Sequence, residues 1–136
     1  MTTYNKEWDC IVEAIETPIA VCEAVVLKRG MKTPKVFKSE CCLWDTGSTS
    51  TLISSKVVSE LGLKPFGRCL VSDNSTVDER DTYLIHVGLP TGNTAINVEA
   101  MLTLSEDYDV IIGMDIIASG NFKLTNENGK SVFSFS

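Results

Sequence analysis

Cys42-Leu43-Trp44-Asp45-Thr46-Gly47-Ser48-Thr49-Ser50-Thr51 is the stretch on which the reading of this chain turns. An apolar run carries one carboxylate, Asp45, into a turn of hydroxyl residues and a glycine, and Leu52-Ile53 resumes the apolar character at once. The pattern predicts a strand ending on Asp45, then a turn whose backbone N–H groups and hydroxyls crowd the carboxylate, then a second apolar segment. The bland account is an Asx turn between strand and loop. A solvated turn carboxylate needs no apolar approach, however, and alternation turns Trp44 to the face opposite Asp45, into a core.

Upstream, Lys35 to Trp44 reads as the strand that delivers Asp45. Before it, Lys28 to Pro34 is a polar loop marked by Gly30 and Pro34. Trp8 to Ile15 and Ile19 to Leu27 read as strands, with Thr17-Pro18 between them as a turn or strand start. Downstream, Ser54 is placed to cap a short helix with Val57, Val58 and Leu61 on its apolar face, and Gly62 stands at the C-cap position. Leu63 to Val71 reads as a loop entering a strand. Ser72-Asp73-Asn74-Ser75 is turn chemistry, and with the segment Thr76 to Val87 it predicts a long hairpin. Glu79, Arg80 and Asp81 are too polar for a core strand, so part of that hairpin should project.

Leu89 to Asn93 is another turn, and Ala95 to Leu104 alternates. Tyr108 to Gly113 is an apolar strand closed by glycine, and Met114 to Ser119 fits one or two helical turns. Phe122 to Thr125 and Ser131 to Phe135 close the chain, with Asn126 to Gly129 as their turn. Strand, turn and short helix at 41–61 are echoed at 108–119. The expected class is all-β with two short helices, in a single domain over 1–136.

The 136 residues are 43% apolar and carry a net charge of −6, from 12 basic and 18 acidic side chains. No Lys/Arg block exists to hold phosphates, which argues against a nucleic-acid partner. No apolar run reaches the roughly 18–20 residues that span a bilayer, and the first residues lack a secretion-signal layout, so no membrane partner is expected. The five cysteines (Cys10, Cys22, Cys41, Cys42, Cys69) are odd in number and include no C-x-x-C. That usage fits reduced thiols and a cytoplasmic location, with no metal and no cofactor.

Leu43-Trp44-Asp45-Thr46-Gly47-Ser48, a hairpin, and then Val110-Ile111-Ile112-Gly113-Met114-Asp115 together resemble the retropepsin-like aspartic proteases. The resemblance covers about residues 35–125 and implies a closed β-barrel with one lobe per chain. It also implies that Asp45 is catalytic in a D-T-G loop and that Ser72 to Thr76 form a substrate-covering flap. Thr46 would hydrogen-bond across a two-fold axis. Gly47 would let the backbone approach carboxylate and substrate. Ser48 would donate to the outer oxygen of Asp45, favouring its ionised form and an acidic pH optimum. Gly113 would support the loop from the later strand.

Two carboxylates about 3 Å apart cannot both ionise, so they share a proton and supply both base and acid for peptide hydrolysis. One D-T-G per chain supplies one carboxylate, so the implied enzyme is a homodimer acting on an extended peptide. Retroviral members typically carry an Asp and an Arg where this chain has Thr49 and Met114; the cellular and prokaryotic single-domain members tolerate G-x-D, as in Gly113 to Asp115. The flap tip carries no glycine. Two other readings stand beside the protease: a catalytically silent retropepsin-fold peptide-binding or scaffold module, and a monomeric interaction domain. Asp115 reads as a helix-start residue facing the dipole. Phe133 and Phe135 read as core or edge packing, or as part of a dimer sheet. His86, the lone histidine, offers only a Cys–His pairing as a nucleophilic alternative, with no reactive-cysteine context.

Overall fold

The computed structural model describes residues 2–72 and 77–136, residue 72 by its backbone alone. Within them the order is β1 (Tyr4–Trp8), β2 (Ile15–Glu23), β3 (Val36–Trp44), β4 (Leu52–Ile53), α1 (Ser55–Leu61), β5 (Gly67–Ser72) and β6 (Val77–Gly88). Then follow β7 (Thr94–Leu102), β8 (Val110–Ile112), α2 (Met114–Ile117), β9 (Phe122–Glu127) and β10 (Lys130–Phe135). The all-β class with two short helices is what forms.

The larger sheet runs β2-β3-β8-β4-β7-β6, and β6 returns to β2, so the sheet closes into a ring. The length of β6 makes this possible. One of its edges takes β7 over Thr82–Gly88, while the other gives its first half to β5 and Ile85–Gly88 to β2. Closure removes the free edges that an open sheet of this size would present. Alternation along the strands turns Ile19, Val21, Ile85, Val87, Val110 and Ile112 inward, where all are buried. The first half of β6 pairs only with β5, so this hairpin stands off the ring as its charged sequence predicts, with Leu70 and Val77 exposed on it.

A second sheet, β1-β10-β9, lies beside the ring. Its Phe133 and Phe135 rings sit 5.1 and 4.8 Å from Trp44, whose indole N–H donates to Thr17 Oγ1 at 2.8 Å. Trp44 is therefore core, as alternation predicts. Truncating a ring buried as fully as Phe133 costs about 3–5 kcal/mol.

Some boundaries differ from the sequence-based expectation. The first strand is Tyr4–Trp8, not Trp8 to Ile15, because Asp9 and Cys10 bend away once Trp8 has paired with Ser131. The second begins at Ile15 and runs through Pro18. The ladder to β3 slips between Thr17 and Ile19, where Pro18 has no N–H to give. The last hairpin turns on Asn128 and Gly129 alone, at φ 54° and 73°, since a two-residue turn of this hand needs positive φ at both positions. Helix α1 is capped by Ser54 and ended by Gly62 at φ 63°, as its sequence predicts.

Candidate active site

The Asp45 turn is held by two chain segments distant in sequence. Strand β3 pairs in parallel with β8, setting Trp44 beside Ile112, and the ladder continues into Asp45, whose N–H donates to Ile112 O at 2.8 Å. Strand β4 then runs antiparallel on the other edge of β8. The loop 45–51 thus leaves and re-enters the sheet on either side of one short buried strand. That geometry is why the sequence needs an apolar run before and after the turn.

Inside the turn, Ser48 N–H donates to Asp45 O at 3.2 Å, and Gly47 N–H donates to Asp45 Oδ1 at 2.8 Å. One carboxylate oxygen is therefore fixed by the backbone. The second has no partner among the described residues, and the side chain is half-exposed with Thr46 and Gly47 open to solvent beside it. This is the geometry of an Asx turn as well as of a presented carboxylate; the bond alone does not separate the two.

The Ser48 hydroxyl is not on the Asp45 carboxylate: it donates to Ser50 O at 2.7 Å. Its own turn offers another acceptor, so the expected hydrogen bond from Ser48 to Asp45 is not formed within the chain. Thr46 makes no side-chain hydrogen bond within the described residues. Of the expected flap tip, Ser72 ends β5 opposite Val77, and Asp73, Asn74, Ser75 and Thr76 lie outside the described residues. Along the β5–β6 hairpin, Arg68 bridges Glu79 at 3.1 Å and Asp81 at 3.3 Å, and Arg80 lies 3.6 Å from Asp78.

The far side of the turn is locked to α2. Met114 N–H donates to Ser48 O at 2.7 Å and Asp115 N–H to Thr49 O at 3.2 Å. Asp115 accepts from Thr51 N–H at 3.0 Å, from Thr51 Oγ1 at 2.8 Å and from Ile116 N–H at 2.9 Å. The Thr51 hydroxyl in turn accepts from Gly113 N–H at 3.3 Å. Asp115 is thus a helix-start carboxylate, as expected, and also the anchor of the turn. Thr51 is fully buried and escaped the sequence reading; its signal is a hydroxyl residue closing a polar turn just before an apolar strand.

Gly113 is required by space and not by φ, which is −98°. A Cβ there would stand 2.4 Å from Ser50 O and 3.0 Å from Ser48 O. Backbone hydrogen bonds and this close approach hold the turn against α2, with Thr49 O and Met114 N–H both engaged.

The Cys–His alternative has a geometric partner but no chemistry. Cys22 stands opposite His86 across β2 and β6. His86 Nδ1 accepts from Asn97 N–H at 3.1 Å, and burial, with Glu23 nearby, pushes the Cys22 thiol up, away from the reactive thiolate. Phe133 and Phe135 are buried in the chain's own core, as the packing reading expects. An open groove of about 670 Å³ is lined by residues that include Ser50, Asp115, Ile116, Cys69, Thr82 and Glu99. It begins at the far end of the turn and does not include Asp45. Among the described residues no group of side chains is arranged to hold a metal ion, and no helix is long and apolar enough to cross a membrane.

No family model matches the chain, and no curated protein sequence matches it. Among solved structures it is similar to a retropepsin-like aspartic protease from Rickettsia conorii, with a TM-score of 0.56 and 12% identity, over 97% of this chain and 91% of that one. At that identity the likeness concerns the fold: the chain has a retropepsin-like β-barrel.

Proposed function

We propose that this chain is one half of a homodimeric aspartic endopeptidase, a single lobe over residues 1–136 with Asp45 as its catalytic carboxylate. The observation that carries the reading is the presentation of Asp45. One oxygen is pinned by Gly47 N–H at 2.8 Å, and the other is free at the mouth of a turn braced on both sides of a buried strand.

In the proposed mechanism two Asp45 carboxylates share one proton across a two-fold axis. The ionised one accepts a proton from the attacking water, and the protonated one donates to the scissile carbonyl. The proton positions exchange as the tetrahedral intermediate collapses. Thr46 holds the two turns in register, and the Gly47 backbone approaches an extended peptide covered by the proposed flap segment 72–76. No cofactor enters this scheme. Five cysteines without a disulfide accord with a cytoplasmic setting.

The test is cleavage of a peptide library over a range of pH by the wild type and Asp45→Asn in parallel, with a statine-type inhibitor as the third arm. The expected result is a bell-shaped pH–rate profile, abolished by Asp45→Asn and by the inhibitor. Unchanged cleavage in Asp45→Asn removes the reading. Binding of extended peptides without turnover favours the silent scaffold, for which the glycine-free flap tip is the specific observation.

A further inference from the structure

The sheet β1-β10-β9 has one strand paired on both edges and two strands with an edge to spare. β10 is already held between β1 and β9 of its own chain, so it cannot be lent to a second copy. Of the two spare edges, β1 is guarded. Lys6 stands opposite the buried Phe133, on the core side of the sheet, with Nζ bound to Glu16 O at 2.8 Å and 5.2 Å above the Trp8 ring. A lysine turned inward on an edge strand deters further pairing.

β9 carries no such guard. Asn121 and Ser136 exchange both backbone hydrogen bonds, at 2.9 and 3.2 Å, which sets the phase of the hairpin. Residues 123, 125 and 127 therefore turn their backbone groups toward β10, and Phe122, Leu124 and Asn126 present theirs outward. Leu124 also stands opposite Phe133, yet it is 37% exposed where Phe133 is 0%. The inner face of β9 overhangs the core and leaves apolar surface uncovered. Phe122, its first residue, packs 6.4 Å from the ring of Trp44, the residue before Asp45, which ties this edge to the segment bearing the carboxylate.

We propose that two copies of this chain pair along β9 in one antiparallel register, with Thr125 on the two-fold axis and Lys123 of each copy facing the partner's Glu127. The inference rests on the reading above in needing a second copy to complete the site. Two-fold pairing must match outward-facing residues with outward-facing ones, which leaves few registers. Pairing Phe122 with the partner's Leu124 sets Lys123 against the partner's Lys123. Pairing Leu124 or Asn126 with itself leaves Lys123 and Glu127 without charged partners. Pairing Leu124 with the partner's Asn126 faces Lys123 with Glu127 twice, and brings the two Leu124 side chains together diagonally across the axis. The chain's own charges thus select the register, and the two sheets merge into one of six strands.

The test uses the full-length chain with its exposed thiols removed (Cys10→Ser, Cys41→Ser). In this register the two Thr125 residues form a non-hydrogen-bonded pair, with Cα atoms about 4.5 Å apart, within disulfide reach. Under mild oxidation Thr125→Cys is expected to give a covalent dimer, as is Lys123→Cys combined with Glu127→Cys, while Lys123→Cys and Glu127→Cys alone are not. In sedimentation, Lys123→Glu is expected to weaken the dimer by about tenfold, and adding Glu127→Lys to restore it. If Thr125→Cys bridges no faster than Lys123→Cys, or the charge swap does not rescue, the register is wrong. A dimer that still cleaves peptides in that case keeps the protease reading and loses only this interface. A Thr125→Cys dimer that cleaves nothing keeps the interface and loses the protease.

Discussion

The Thr51 hydroxyl donates to Asp115 Oδ1 at 2.8 Å across 64 positions of sequence, and the Thr51 N–H donates to the other oxygen of the same carboxylate at 3.0 Å. One side chain at the start of α2 thereby closes the turn that begins at Asp45. Thr51→Val keeps the shape and removes the hydroxyl, leaving Gly113 N–H without its acceptor and Asp115 Oδ1 with only the Ile116 N–H. An unmade buried hydrogen bond costs about 1–3 kcal/mol, and that loss is expected in urea unfolding. An unchanged midpoint would show that the lock contributes nothing to stability.

Gly113→Ala and Gly47→Ala should part company. A Cβ on Gly113 meets backbone, at 2.4 Å from Ser50 O, so the β4–β8 junction must open. The expected loss is about 3 kcal/mol or more, at the upper end for overpacking. A Cβ on Gly47 meets only Asp45 Oδ1, at 3.2 Å, and a side chain can swing. Gly47→Ala should cost under about 1 kcal/mol in stability, yet on the proposed reading cleavage falls by about tenfold or more because the carboxylate moves. Thermal unfolding and peptide cleavage measured on both variants decide it.

Alkaline pH should weaken the fold partly through Tyr108. Its hydroxyl donates to Glu16 Oε1 at 2.9 Å, and that bond, with burial and the charge of Glu16, raises the phenol above its ordinary value of 10.0. A raised acid binds its proton more tightly when folded, so its contribution is complete below about pH 10 and is lost as the pH climbs through the folded value. Tyr4 and Tyr83 are shifted in the same direction by burial. Tyr108→Phe should therefore flatten, without abolishing, the fall in stability above pH 10. An identical slope in the variant would exclude the bond as a source.

Neighbouring cysteines should differ sharply toward thiol reagents. Cys41 is exposed, whereas Cys42 is buried and burial drives its thiol far up. In native protein at neutral pH, Cys10 and Cys41 are expected to label within the first phase and Cys42 only after unfolding. Mass mapping of labelled peptides against denaturant gives the order. Early modification of Cys42 would mean that the β3–β8 pairing opens.

Much of the fold was legible because its signals are local. Apolar alternation marked the strands around Asp45, Ser54 and Gly62 bounded α1, and the Ile111-Ile112-Gly113 run marked β8. Ring closure was legible only through the family resemblance, since it depends on β6 sharing one edge between β5 and β2, a choice no window of sequence contains. The start of the chain was misplaced for a similar reason: Tyr4 to Trp8 becomes a strand only because β10 is there to pair with it. At the candidate site, the apolar approach to a hydroxyl-rich turn singled out Asp45, and the family resemblance pointed to Gly47 and Gly113. The Thr51–Asp115 lock and the diversion of Ser48 to Ser50 could not be read, because hydroxyl partners are chosen by distances that only the folded turn defines.

The insertion of β8 between β3 and β4 also sets an order of events in synthesis. Emerging from the ribosome, the segment around Asp45 has no strand to lean on until residues 110–112 have followed it out, and no anchor until Asp115 arrives. A growing or truncated chain ending before that point carries the acid but not its brace. On the proposed reading, hydrolytic capacity is thereby postponed until residues 110–115 have left the tunnel, a safeguard written into strand order.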